Sequence, residues 1–420
     1  MNKKRLLVDE TMYVETLDNG LKIYMHPKPD FVDYHVSLQV NMGGESIDYE
    51  FGSDKFVIPS GMAHFLEHVM FENHESNLSD VFSAYNADVN ASTSRDLTRY
   101  YFSAQENFEQ VLRIFLDHFS SFDISERVIA KERAIILKEI KMYEDNLFYQ
   151  VHDDLMKHMY RDPKVWEDIA GSSQSVKKIN KELIDRTISH FYQARNMYLV
   201  ITGPFEPEEV KKIIHQSKIT ELADQEYLPV LNYDLKGSKK RSIYKTNQKQ
   251  SVEYLALGLK IDLSLFNHLE TSQKRLAIIM FFEHFFNESS KNYQILKKEK
   301  LINYSYYQTT SIMDQYAYFF VSSESKYPSK LKDRLIEMLM KLEMIDERLF
   351  TASKRARIGH YIGYFDSAKS IMSAIIDFTK KSIDFENYIN NVSHISVKDL
   401  EINKSYIKKE NIYTVIYAKK

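Results

Sequence analysis

Two histidines four residues apart, His64 and His68, enclose the acid Glu67 inside the apolar run GMAHFLEHVMF at 61–71. On a helix, positions i and i+4 lie on one face about one turn apart, so both imidazoles can be presented to the same point. Glu67 can reach a water held at that point. Two neutral imidazoles suit zinc, and a catalytic zinc site takes a third protein ligand while keeping one position open for water. Burying ionisable groups among Ala63, Phe65, Leu66, Val69, Met70 and Phe71 is costly unless something compensates them. The plainer alternative is a core helix that carries polar residues by accident. His74 lies past the run, in the loop expected to end that helix.

The third ligand should be a carboxylate from elsewhere in the chain. SERVIAKERAIILKEIKMYED at 125–145 offers Glu132 and Glu139, seven residues apart and so on one face of a helix two turns away. Ala134, Ile135, Ile136 and Leu137 are expected to make that the buried part of the helix. Solvated face charges are the alternative reading of both glutamates.

The elements that must position these residues follow from periodicity. Residues 20–43 read as two strands around the turn-prone Pro27-Lys28-Pro29-Asp30. Residues 61–71 read as a buried helix, 106–120 and 125–145 as amphipathic helices, and NMYLVIT at 196–202 as a strand closed by Gly203-Pro204. The pattern is α+β. Beyond an acidic helix near 206–218, the stretch 219–240 has no clear periodicity and reads as a linker. This divides the chain into 1–218, the linker 219–240, and 241–420.

The second part resembles a copy of the first. MFFEH at 280–284 lies 216 residues after HFLEH, NIYTVIY at 411–417 lies 215 after NMYLVIT, and Ile243-Tyr244 lies 220 after Ile23-Tyr24. Met280 stands where the first histidine would be, so the second copy is expected to hold no metal.

Composition narrows the classes. At 420 residues, 44% hydrophobic and 27% charged, the chain reads as well folded with two or more domains. A formal net charge of -3 argues against nucleic acid or an anionic membrane as partner. Cysteine is absent, which excludes disulfides, thiolate ligands and cysteine nucleophiles. No signal-peptide core or membrane span is expected, and a cytoplasmic location is the default. A phosphate- or nucleotide-binding reading finds no glycine-rich loop before a helix, in a chain with 11 glycines.

With HFLEH and the glutamates seven residues apart, the chain resembles the pitrilysin-type zinc peptidases. These are the inverzincins, whose His-x-x-Glu-His signature inverts the usual zincin order. Insulin-degrading enzyme and the mitochondrial processing peptidase are members. The resemblance implies one zinc ion per chain on His64, His68 and Glu139, with Glu67 as general base and Glu132 as a supporting carboxylate. It implies two tandem homologous α/β sandwich-like halves, each a mostly antiparallel sheet with helices on one face.

Asn90 and Ala91, within NADVNASTSRDLTRYYF at 86–102, are similar to the family's Asn-Ala-x-Thr strand, an exposed edge on which a peptide substrate pairs as an added strand. LKKEKLINY at 296–304 is similar to the family's Leu-Arg-x-x-x-x-x-Gly-Tyr segment, whose arginine and tyrosine reach the substrate. Tyr304 matches, while Lys297 stands at the arginine and Asn303 at the glycine; lysine keeps the charge and loses the bidentate fork.

Two-repeat members of this length act as dimers. The resemblance therefore implies a homodimer, or a heterodimer with a homologous subunit that can itself be metal-free. HFLEH, EIKMYEDN and VITGPFEPEE most resemble bacterial members of Gram-positive type, some of which sit beside peptide or bacteriocin biosynthesis genes. The function expected is a zinc-dependent endopeptidase acting on peptides or unstructured segments. The alternative is a non-catalytic or regulatory subunit of a processing peptidase. Such subunits usually lack one or more ligands, and here all four key positions are filled.

Overall fold

The structure is a computed structural model that describes residues 2–5, 10–72, 77–144, 146–224, 227–238, 240–246 and 252–419. Its strands are β1 (Asn2–Arg5), β2 (Thr11–Thr16), β3 (Lys22–Pro27), β4 (Tyr34–Val40), β5 (Asp48–Phe51), β6 (Asp54–Val57), β7 (Asp88–Thr93), β8 (Thr98–Ala104) and β9 (Met197–Gly203), followed by β10 (Ser242–Thr246), β11 (Tyr254–Ile261), β12 (Tyr307–Ile312), β13 (Ala317–Glu324) and β14 (Ile412–Ala418). They form a seven-stranded sheet in the order β1-β2-β3-β9-β4-β8-β7, a five-stranded sheet in the order β10-β14-β11-β13-β12, and the hairpin β5-β6.

Alternation explains the local choice of strand. In β8, Thr98, Tyr100, Phe102 and Ala104 point into the core while their neighbours are half-buried, which is the period-two pattern of a sheet with one face packed. β9 is buried along its whole length, as its largely apolar sequence suits a central strand. The two strands expected in 20–43 form, but they do not pair with each other. β9 enters between them, parallel to β3 with Leu199 opposite Ile23 and antiparallel to β4 with Leu199 opposite Leu38.

The same order recurs in the second sheet. β14 lies between β10 and β11, parallel to the first and antiparallel to the second. The helix Thr271–Phe286 falls between β11 and β12 as the helix Met62–Met70 falls between β4 and β7. The fold is α+β and consists of two topologically equivalent halves.

The chain separates into two compact units. One comprises residues 1–144, 167–232 and 362–377; the other comprises 145–166, 233–361 and 378–420. The sequence reading divides the chain once, at 219–240, whereas the units interleave. In the first unit, one sheet face carries Ile23, Met25, Val36, Leu38, Leu199 and Ile201 against the helices of the main core. The opposite face carries His26, Ser37, Gln39 and Thr202, all fully buried. Part of this polar face is met by the segment 362–377: Thr202 donates its hydroxyl to Ala368 O at 2.8 Å, and the Phe365 ring lies 5.9 Å from His26.

In the second unit, the helix Leu147–Met159 has the equivalent place. Val151, Leu155, Met156 and Met159 pack with Tyr254, Ala256, Tyr413 and Val415. The close approach needs Gly258, where a Cβ would stand 2.2 Å from Met159 Sδ.

Candidate metal centre

The helix Met62–Met70 begins at Gly61, whose φ of 88° belongs to the left-handed region and whose Cβ would stand 2.5 Å from Ala170 O. Met62, Ala63, Phe65, Leu66, Val69 and Met70 are buried in the core. His64, Glu67 and His68 remain on the side that meets the helix Glu126–Glu144 and strand β7. On the helix Glu126–Glu144, Val128, Ile129, Ile136 and Ile140 face the core, with Glu132 buried beside them and Glu139 at the margin of that face.

The fold brings the four residues together. His64 Nε2 and His68 Nε2 lie 3.7 and 3.6 Å from Glu139 Oε2. The two imidazole rings stand 4.8 Å apart at 74°. His68 donates through Nδ1 to Glu132 Oε2 at 3.0 Å, which turns its Nε2 toward Glu139. Glu132 is also near Lys131, 3.7 Å away, and Lys131 pairs with Glu72 at 2.9 Å.

Electrostatics favour a neutral His64. Burial, with the neighbouring His68 adding to it, pushes the His64 imidazole down to about 4, against the opposing pull of Glu139. Burial also pushes the Glu67 carboxyl up, opposed by a hydrogen bond that the Thr93 hydroxyl donates to Glu67 Oε2. Thr93 belongs to β7, three residues beyond Asn90, so one strand carries both the expected substrate edge and the group that holds Glu67. The sequence reading did not single out Thr93, although it completes Asn90-Ala91-Ser92-Thr93 as an Asn-Ala-x-Thr match. It also passed over Tyr100 and Tyr192, whose hydroxyls meet at 2.7 Å within electrostatic reach of Glu67.

These residues fit a bound transition metal. Ligand atoms of His64, His68 and Glu139 all lie within 4.8 Å of one another. Tetrahedral ligands about 2 Å from zinc stand about 3.3 Å apart, close to the two separations measured to Glu139. His64 Nδ1 is buried without a hydrogen-bond partner among the described residues. Two imidazole nitrogens and one carboxylate suit zinc far better than calcium or magnesium, which take oxygen ligands.

The other expected site residues are not members of this donor group. Asn90 and Ala91 are on β7, the edge of its sheet, and the Asn90 side chain accepts from Ala91 N–H at 2.8 Å. Ser94 N–H bonds Leu97 O at 2.7 Å where the strand turns, so by the antiparallel alternation Val89, Ala91 and Thr93 turn their backbone groups toward the open edge. Lys297 and Tyr304 belong to the other unit, Lys297 in the helix Lys291–Lys298 and Tyr304 before β12; both are exposed. Asn303 caps its own turn by accepting from Ser305 N–H at 2.8 Å. His74 lies outside the described residues.

The second copy of the motif is occupied structurally. Met280 is buried, Glu283 is bound by Arg357, and His284 Nε2 accepts from Asp346 N–H at 3.2 Å. No second grouping of metal-ligating side chains occurs among the described residues.

The chain is thus a tandem pair of α+β halves with one His-His-Glu donor group among the described residues. Residues 59–173 match the family model of insulinase, peptidase family M16, and 178–357 match that of the peptidase M16 inactive domain. Together these span most of the chain, which belongs to peptidase family M16.

The chain is 26% identical over 403 residues to zinc protease YmfH of Bacillus subtilis (strain 168), covering 94% of this chain and 93% of that one. It is 29% identical over 202 residues to a mitochondrial-processing peptidase subunit beta of Arabidopsis thaliana, covering 47% of this chain and 36% of the plant protein. The crystal structure of an M16-like peptidase from Alicyclobacillus acidocaldarius superposes with a TM-score of 0.89 at 22% identity, covering 99% of this chain and 100% of that one.

Proposed function

We propose that this chain is a zinc-dependent endopeptidase that hydrolyses peptides or unstructured segments, in the processing or maturation of a peptide. The observation that supports this most is the convergence of His64, His68 and Glu139 with Glu67 beside them, in a family whose relatives are named zinc proteases. His64, His68 and Glu139 would hold one zinc ion per chain, with His68 oriented by Glu132. Bound there, zinc supplies Lewis acidity, lowering the pKa of a water toward about 7 and polarising the scissile carbonyl.

Glu67 takes the proton of the attacking water and later passes it to the leaving amine. Thr93 holds the Glu67 carboxylate, and the buried surroundings that raise its proton affinity suit a group that must accept and return a proton. The substrate lies extended along β7 at Asn90 and Ala91 and is read through its backbone, which gives a loose sequence preference. Lys297 and Tyr304 supply the second half's contacts to substrate, within a homodimer or a heterodimer with a homologous subunit in the bacterial cytoplasm.

A second reading, a non-catalytic subunit of a processing peptidase, draws support from the lysine and asparagine at 297 and 303. One experiment separates the two. Purified full-length protein should carry about one zinc per chain and cleave a panel of unstructured peptides, with cleavage lost on chelation and regained with zinc. Protein free of metal at neutral pH sinks the peptidase reading, and metal without cleavage favours the subunit.

A further inference from the structure

The two sides of strand β7 differ. Thr93 faces the candidate metal centre and holds Glu67, whereas Ser92 and Asn90 point to the opposite face of the sheet, where Ser92 stands opposite Arg99 and Asn90 opposite Tyr101. Arg99 lies along this face instead of extending into water. Its Nε donates to Ser92 Oγ at 2.6 Å, and its Cζ sits 5.0 Å from the centroid of the Tyr101 ring. These are its partners among the described residues, and no carboxylate is among them.

An arginine without an acidic partner is ordinary on an open surface. This one is half-buried, pinned at two points, and leans toward a free strand edge. Gln39 of β4 is also directly opposite it, and Gln39 Oε1 is buried without a hydrogen-bond partner among the described residues. The guanidinium has therefore turned from a near acceptor toward β7. Asp88, on the same face of β7, stands four residues from Ser92, about 13 Å along the strand, and leaves the Nη fork open.

We infer that Arg99 receives the carboxylate of an aspartate or glutamate side chain of the substrate, at the position that pairs with Ser92 on the face of β7 turned away from the metal ligands. This rests on the peptidase reading and deepens it: backbone pairing at β7 leaves sequence open, and Arg99 restores a preference at one position. A peptide added antiparallel to β7 bonds through the outward backbone groups of Ala91 and Thr93. Its residue opposite Ser92 then falls in a non-hydrogen-bonded pair, where side chains approach most closely. Cβ atoms about 4.5–5.5 Å apart in such a pair bring a carboxylate beside the guanidinium that Ser92 Oγ already holds. The planar fork matches a carboxylate bidentately, and its anchoring on Ser92 and Tyr101 lowers the entropy lost on binding.

The test compares full-length wild type with Arg99→Gln, Arg99→Lys and Arg99→Glu, each shown to keep the zinc content and melting temperature of wild type. Each digests a randomised-sequence peptide pool, and cut sites are read by mass spectrometry. Wild type should enrich aspartate and glutamate over asparagine and glutamine about tenfold at one position fixed relative to the cut, and less so at high salt. Arg99→Gln should abolish this preference. Arg99→Lys should keep part of it, since lysine retains the charge and loses the fork. Arg99→Glu should favour lysine and arginine at the same position, a reversal that a merely structural role for Arg99 would not give. If Arg99→Glu fails to fold, the other two variants decide. No acidic enrichment in wild type, or enrichment that survives in Arg99→Gln, overturns the assignment.

If wild type cuts nothing, the peptidase reading fails by itself. Arg99 is then judged by anisotropy on wild type and Arg99→Gln. The probes are fluorescein-labelled peptides of one sequence in which glutamate replaces glutamine at one position at a time. Tighter binding of a glutamate probe that Arg99→Gln abolishes supports the assignment. Equal binding of all the probes, or a preference that survives the substitution, overturns it.

Discussion

Glu132 and His68 share a hydrogen bond of 3.0 Å between Oε2 and Nδ1, made on the ring edge opposite the one that faces Glu139. This fixes both the tautomer and the direction of the imidazole, so His68 is preset as a ligand through Nε2. Glu132→Gln should leave the fold intact and weaken zinc binding about 10- to 100-fold. Competition against a fluorescent chelator would measure this. His68→Ala should go further and lose both zinc and hydrolysis.

Thr93 joins the edge strand to Glu67. Glu67→Gln should keep the zinc content of wild type and lose hydrolysis. Thr93→Ala should lower kcat about tenfold with the metal retained, and Thr93→Ser should recover most of it, because only the hydroxyl donor is at issue. Steady-state kinetics beside metal analysis would read all three. An alanine variant as fast as wild type would show that Glu67 needs no such support.

Zinc stoichiometry should stay at about one per chain even when the missing histidine is restored. Met280→His would recreate His-x-x-Glu-His in the helix Thr271–Phe286. The helix Glu347–Gly363 nevertheless brings Arg357 to Glu283 instead of a carboxylate to the metal. Elemental analysis of this variant should match wild type. A second equivalent of bound zinc would show that the donor pair alone suffices.

Acid should destabilise the protein through His26. Its ring is fully buried, neither nitrogen has a hydrogen-bond partner among the described residues, and Glu10 stands 3.5 Å away. Burial pushes its pKa down to about 4, against the pull of Glu10. With the unfolded value near 6.5, the unfolded chain binds the extra proton first. Stability is therefore full above about pH 6.5 and is lost as pH falls toward 4. The His26 share of that loss between pH 7 and pH 5 is about 2 kcal/mol. His26→Leu should flatten this part of the denaturant midpoint's pH dependence, and an unchanged slope would assign the acid sensitivity elsewhere.

The helix faces that carry these side chains were legible in sequence because both spacings are helical. His64 and His68 at i, i+4, and Glu132 and Glu139 at i, i+7, must share a face wherever a helix forms, so local periodicity was enough. The equivalence of the halves was legible from HFLEH and MFFEH, and from the two apolar strands that became β9 and β14. What was not legible depends on distant pairing. Nothing local in 20–43 reveals that a strand from 197–203 enters between β3 and β4. The segment 362–377 carries no sign that its partner is the face of His26, Ser37 and Thr202. Thr93 was missed because a threonine in an edge strand is ordinary until Glu67 is placed opposite it. Ala134 and Ile135 read as buried positions in the apolar stretch 134–137, but both are exposed, because local composition does not reveal which side of the helix meets the core.

The interleaved units bear on the order in which this chain becomes foldable. A protein emerging from the ribosome usually completes its N-terminal part first. Here the strands that frame the candidate centre are all made by residue 203, yet Thr202 and Tyr198 on one face of their sheet lack Ala368 O and Ile376 O, to which their hydroxyls donate, until that segment has been synthesised. The scaffold of the candidate centre is thus finished only when the second half is nearly complete. A nascent or prematurely terminated chain would carry every candidate ligand while its sheet still lacked this later segment.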